Sequence, residues 1–105
     1  MPVHLLCADD SVTIQKVVEI TFAKEDVRIT AATTVEQALT AARRDRPDVV
    51  LADLSMPARG GYELCAALRA DQALSDVPVL LLSGSSSPYD DARALHPDRI
   101  QLFSD

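Results

Sequence analysis

Two short apolar runs in this chain end in carboxylates. His4-Leu5-Leu6-Cys7-Ala8 leads into Asp9-Asp10, and Asp48-Val49-Val50-Leu51-Ala52 leads into Asp53. Continuous apolar runs of this length read as strands of a parallel sheet, buried on both faces. An open parallel sheet binds its ligands at the carboxyl ends of its strands. If the two strands are neighbours, three carboxylates meet at one place. Two such charges about 4 Å apart, in an effective dielectric near 20, repel by about 4 kcal/mol. The cluster therefore calls for a compensating cation, a raised pKa or both. Oxygen-only donors suit Mg²⁺, which takes one or two carboxylates and keeps waters or a phosphate oxygen as its other ligands. Taken singly, Asp9-Asp10 reads equally well as a helix cap and Asp53 as a polar strand end.

The elements that must position these acids follow from periodicity. Val3–Ala8 reads as a strand, and Asp10 or Ser11 can cap the helix after it. Ile14, Val17, Val18, Thr21 and Phe22 fall at spacings of three and four, which predicts the packed face of that helix. Val27–Ala31 is a shorter, more polar strand and is expected near an edge. Thr33 with Glu36, or Thr34 with Gln37, offers a capping box. Val35, Ala38, Leu39 and Ala42 form the next helical stripe. Pro47 stops that helix before the strand Asp48–Asp53. A turn-rich loop, Leu54 to Gly61, leads to a helix carrying Tyr62, Cys65 and Leu68 and ending near Asp71. Val77–Leu82 is the most apolar run and reads as a central strand, with Pro78 near its start. Tyr89–Leu95 is expected to be a short helix and Arg99–Phe103 a fifth strand. This β-α alternation predicts a doubly wound parallel sheet with helices on both faces.

Composition bounds the rest. The chain has 105 residues, enough for one domain with one core, and no Trp. Ten Lys and Arg against sixteen Asp and Glu give a formal net charge of −6, which argues against nucleic acid or an anionic membrane as a direct partner. Arg43, Arg44 and Arg46 are the basic cluster, read as cations at a helix C-terminus. Cys7 and Cys65 form no metal-ligand or redox pattern and read as small buried hydrophobes. His4 and His96 have no partner at metal-ligand spacing and read as surface or loop residues. No run approaches transmembrane length, so the cytoplasm is the expected compartment.

In these residues the chain resembles the receiver domain of two-component response regulators, from Val3 to about Phe103. Asp9-Asp10 follows the first strand and Asp53 ends the third. Met56-Pro57 and Gly60-Gly61 follow in the spacing of that family's D-x-x-M-P-x-x-x-G loop, and Ser83 ends the fourth strand. The resemblance implies a five-stranded, flavodoxin-like sheet over residues 1–105, with the family's last helix missing. It implies that Asp53 is the phosphoacceptor, receiving a phosphoryl group from a phosphohistidine on a histidine kinase or phosphotransfer protein. Asp10 is then the direct Mg²⁺ ligand, Asp9 holds the metal through water, and the backbone carbonyl of Ser55 is a further ligand. Ser83 is the hydroxyl that bonds the phosphoryl group and switches a surface facing a downstream protein target. Gly84 leaves access to the acceptor oxygen, Gly60 and Gly61 supply turn conformations, and Met56-Pro57 stiffens the loop.

The match departs at its end. Receiver domains carry a Lys after the fifth strand, and no Lys occurs here after Lys24. Arg59 and Arg99 are the nearest replacements, and the aromatic switch position aligns with Leu102 or Phe103. This predicts slowed or lost phosphorylation and sets a second reading beside the first: a binding module that keeps the fold and no longer switches. The missing last helix predicts an uncovered apolar patch on one sheet face, and with it self-association. An aspartyl phosphohydrolase is disfavoured, because Ser55 stands where that class carries a second acid. A P-loop enzyme is excluded, because no G-x-x-x-x-G-K pattern occurs. The chain is expected to be a signalling module and not an enzyme.

Overall fold

The structure of the chain, a computed structural model, describes residues 2–53, 60–83 and 100–104. Eight elements follow in order: β1 (Val3–Ala8), α1 (Val12–Thr21), β2 (Val27–Ala32), α2 (Val35–Arg44), β3 (Val49–Asp53), α3 (Gly61–Ala70), β4 (Val79–Ser83) and β5 (Ile100–Ser104). The strands form one five-stranded sheet in the order β2-β1-β3-β4-β5, and every neighbouring pair is parallel. This is the doubly wound sheet that the alternation predicts, in the flavodoxin-like order that the resemblance implies. The chain steps from β1 outward to β2 and then to the other side with β3. The strand order therefore reverses between β1 and β3, and that junction is where such sheets bind ligands. The expected helix Tyr89–Leu95 lies outside the described residues.

Side-chain alternation along the strands divides the core in two. Leu6, Ala8, Val50, Ala52, Val79 and Leu81 face α2 and α3, in one cluster with Val35, Leu39, Leu64, Cys65 and Leu68. Leu5, Cys7 and Leu51 face the other way, against Val18 of α1, with Ile14, Phe22, Val49 and Leu80 partly buried beside them. The expected stripe of α2 is borne out, since Val35, Ala38, Leu39 and Ala42 are all buried. Cys7 and Cys65 are buried free thiols in different clusters, as expected of small hydrophobes.

Local signals set the helix starts. Ser11 caps α1, its hydroxyl accepting from the Ile14 N–H at 3.2 Å. Thr34 caps α2 and accepts from Gln37 N–H at 3.1 Å. The box is offset by one residue, because Gln37 Oε1 accepts from the backbone N–H of Thr33 at 2.9 Å and not from that of Thr34. Arg43 and Arg44 lie in the last turn of α2, as the dipole favours. Arg43 also pairs with Asp71 at 3.2 Å, and Arg46 pairs with Asp76 at 2.6 Å. These exposed pairs tie the end of α2 to the α3–β4 connection and contribute little each.

Two sequence expectations are corrected. His4 is not a surface residue; it is 4% exposed. Strand β1 is internal, and alternation puts His4 on the α2 side with Leu6. Its Nε2 lies 2.8 Å from Thr30 Oγ1, and its backbone N–H donates to Asp48 Oδ2 at 2.8 Å. His96 lies outside the described residues. The face expected of α1 holds only in part: Val18 is buried and Ile14 and Phe22 are half-buried against the core. Val17 is 52% exposed and Thr21 is exposed, while Gln15 is buried. The inward-facing positions 15, 18 and 22 advance by three and four, one residue out of step with a stripe through Val17 and Thr21. Among the described residues, no helix is long and apolar enough to cross a membrane.

Candidate functional site

The register between β1 and β3 decides the site. Cys7 pairs with Leu51 and Ala8 with Ala52, so Asp9 leaves β1 opposite Asp53 at the end of β3. The neighbour relation assumed in reading the two runs therefore holds. One carboxylate oxygen from each of Asp9, Asp10 and Asp53 lies within 4.8 Å of the others. Asp9 is buried, Asp53 half-buried and Asp10 exposed, so the cluster forms a graded mouth that opens to solvent on the Asp10 side.

Asp9 is held on several sides. Its Oδ1 accepts from the Ser11 N–H at 2.8 Å, and its own N–H donates to the Ala32 carbonyl at 2.9 Å. Burial pushes the Asp9 carboxyl up from 3.8 to about 6. The Ser11 N–H opposes that rise; the charges of Asp53 and Asp10 and a hydrogen bond with Asp53 add to it. Cys7, one strand residue below Ala8, is pushed up to about 12 by burial first and the Asp9 charge second. Its thiol therefore stays neutral at ordinary pH.

Helix α3 closes the site from the β3 side. Gly60 has an extended backbone and its N–H donates to Glu63 Oε2 at 3.3 Å, which is half of a capping box. Gly61 is required for another reason than the turn conformation expected of it. A Cβ there would lie 2.9 Å from the Asp53 carbonyl oxygen and 3.1 Å from Leu81 Cδ2. The first turn of α3 thus packs directly on the residue that ends β3. Ser83 ends β4, one residue beyond the Leu82 that pairs with Asp53. Ser55, Met56, Pro57, Arg59, Gly84 and Arg99 lie outside the described residues.

The donor set fits a hard divalent cation. Three carboxylate oxygens converge, no nitrogen or sulfur ligand joins them among the described residues, and the buried acid is the one with the raised pKa. Two contributors were not read from the sequence. Gln15 bonds the backbone at Asp9, and Gly61 owes its place to a close approach. A polar residue on an apolar stripe was the available signal for the first. The second is a contact between distant residues, with no local signature.

The family described as response regulator receiver domain matches residues 5–101 of the chain. The DNA-binding response regulator MtrA of Mycobacterium tuberculosis is 34% identical over 87 residues, covering 83% of this chain and 37% of that protein. The chain thus spans just over a third of the length of that relative. Among solved structures, the chemotaxis protein CheY4 of Vibrio cholerae superposes with a TM-score of 0.88 at 25% identity, covering 99% of this chain and 87% of that one. The receiver domain of the sensor histidine kinase PA1611 from Pseudomonas aeruginosa has a TM-score of 0.80 at 23% identity, covering 99% of this chain and 85% of that one. That structure holds a magnesium ion in its active-site cleft. Sheet order, strand-end acids and a match running nearly the whole length of the chain agree, and the chain belongs to the response regulator receiver domain family.

Proposed function

We propose that this receiver domain is a phosphoacceptor switch in which Asp53 takes a phosphoryl group from a phosphohistidine of a histidine kinase or phosphotransfer protein. The observation that carries the reading is the meeting of Asp9, Asp10 and Asp53 at the β1/β3 junction, with their oxygens within 4.8 Å. An Asp53 carboxylate oxygen attacks phosphorus, and the phosphorus–nitrogen bond breaks. Its electron pair returns to the imidazole, leaving an aspartyl acyl phosphate. Asp9, Asp10, Asp53 and the backbone carbonyl of Ser55 would hold Mg²⁺, which supplies positive charge against the repulsion between acids and phosphoryl oxygens. The Ser11 N–H, donating to Asp9 Oδ1, would hold that carboxylate in place for the cation. Ser83, at the end of the adjoining strand, offers its hydroxyl to the phosphoryl oxygens and changes the surface around it.

On this reading the chain is a cytoplasmic signalling module that does not turn over a substrate. It passes its state to a downstream protein. The DNA binding of its longer relatives would reside in the part that this chain does not match, and a net charge of −6 disfavours phosphate-backbone contact by this domain. Incubation with Mg²⁺ and a small phosphodonor tests the reading by intact mass. The expected result is a gain of one phosphoryl group that is absent in Asp53→Asn and absent in chelator. No gain at any donor or Mg²⁺ concentration sinks it and favours a receiver fold that acts by binding alone.

A further inference from the structure

One buried amide outside the acid cluster holds the backbone from which the cluster hangs. Gln15 lies on α1 and is 8% exposed. Its Nε2 stands 3.1 Å from the Cys7 carbonyl, 3.0 Å from the Asp9 carbonyl and 3.2 Å from the Ala32 carbonyl. Those carbonyls belong to the carboxyl ends of β1 and β2 and to the first acid itself. The orientation of the amide is fixed by chemistry: turned over, its oxygen would face three carbonyl oxygens. In the orientation that donates to them, Oε1 is buried and has no hydrogen-bond partner among the described residues.

That orphaned oxygen is informative. An apolar side chain would fill this place on α1 without burying an unsatisfied acceptor. The return for the polar group lies in what Nε2 holds. The Asp9 backbone is gripped at its N–H by Ala32 and at its carbonyl by Gln15, while Ser11 grips its carboxylate. A single side chain thus joins α1 to two strand ends and to one of the three acids. Rotation of the Asp9 peptide would swing its carboxylate relative to the other two acids.

We infer that Gln15 is a positioning residue for the acid cluster, setting the direction of the Asp9 carboxylate and with it the affinity of the site for a divalent cation. The inference rests on the reading of the cluster as a Mg²⁺ site. Groups that orient ligands without touching the metal typically change metal affinity by about 10- to 100-fold when replaced.

The test is calorimetric titration of the full chain with MgCl₂, for the parent, for Gln15→Met and for Val18→Ala. Gln15→Met keeps length and removes the donors. Val18→Ala loosens the same helix without touching the Asp9 backbone. All three are compared at a temperature where circular dichroism shows them folded. The expected result is Mg²⁺ binding weakened about 10-fold or more in Gln15→Met and unchanged in Val18→Ala. In the metal-free protein, the Ser11 amide proton shifts upfield in Gln15→Met alone, as its bond to Asp9 Oδ1 lengthens. If Gln15→Met does not fold, Gln15→Asn withdraws the same donors by one methylene, and the same two changes are expected. Binding within twofold of the parent, or equal weakening in Val18→Ala, overturns the positioning role while leaving the Mg²⁺ site standing. A parent that binds no Mg²⁺ overturns both.

Discussion

Gly61 approaches Asp53 so closely that a Cβ on the glycine would sit 2.9 Å from the aspartate's carbonyl oxygen. The obstacle is backbone, which cannot rotate away as a side-chain tip could. Gly61→Ala must therefore push α3 off the end of β3 or displace Asp53. The expected cost is about 1–3 kcal/mol, read as a lower urea midpoint with unchanged slope. Because the strain falls on Asp53, Mg²⁺ affinity should drop as well. A Gly61→Ala variant of parental stability and parental Mg²⁺ affinity would show that α3 and β3 are not in this contact.

Asp9 gives the metal-free fold a pH dependence of definite sign. Burial first, then neighbouring charge, raises its pKa from 3.8 to about 6. The stability this contributes is fully present below the unfolded value of 3.8 and is lost as pH rises through about 6. In chelator, Asp9→Asn should therefore gain on the parent as pH rises from 5 to 8. The gain should reach about 1–2 kcal/mol, allowing for solvent reaching the cluster beside exposed Asp10. Mg²⁺ should reverse the order at pH 8, because it stabilises only the chain that offers the carboxylate. Urea midpoints across that range check the point. A difference between the two chains that does not change with pH contradicts it.

Arg69 organises the connection from α3 to β4. It is 9% exposed, and its guanidinium donates to the carbonyls of Ser75 at 2.9 Å and Val77 at 2.7 Å, with Leu74 at 3.5 Å. Its planar fork satisfies carbonyls of a turn that no strand or helix serves. Arg69→Met should cost about 2–4 kcal/mol by taking this donor from the Ser75 and Val77 carbonyls, while the Leu74 carbonyl keeps the Val77 N–H at 3.2 Å. Arg69→Lys should recover part of that, since an ammonium cannot span the same spread. Neither should alter Mg²⁺ affinity beyond twofold, because the connection lies at the opposite end of the sheet from the acids. Urea midpoints and titration on the same samples separate the two effects.

Much of the site was legible because its signals are local and repeated. The runs ending at Asp9 and Asp53 needed only strand periodicity and the rule that sheets bind ligands at strand ends. The β2 edge followed from its shorter, more polar run, and the α2 stripe from spacing. Gln15, Arg69 and His4 were not legible, for one physical reason. Each is a polar residue inside an apolar context, and its partners are carbonyls or a hydroxyl brought together by the fold. Thr30 is 26 residues from His4, and Ala32 is 17 from Gln15. Hydropathy assigns such residues to solvent, whereas their partners put them inside. The same reasoning explains Arg43 and Arg46: the helix dipole was visible in sequence, but Asp71 and Asp76 across the turn were not.

The central claim is that Asp53, and no other acid of the cluster, receives the phosphoryl group. Borohydride reduction after reaction with a phosphodonor and Mg²⁺ tests it at residue resolution, because reduction of an aspartyl acyl phosphate leaves homoserine at the acceptor position. Peptide mass spectrometry should find homoserine at position 53 alone, with Asp9 and Asp10 unchanged and no product in chelator. Homoserine at position 9 or 10, or at none of the three, contradicts the account.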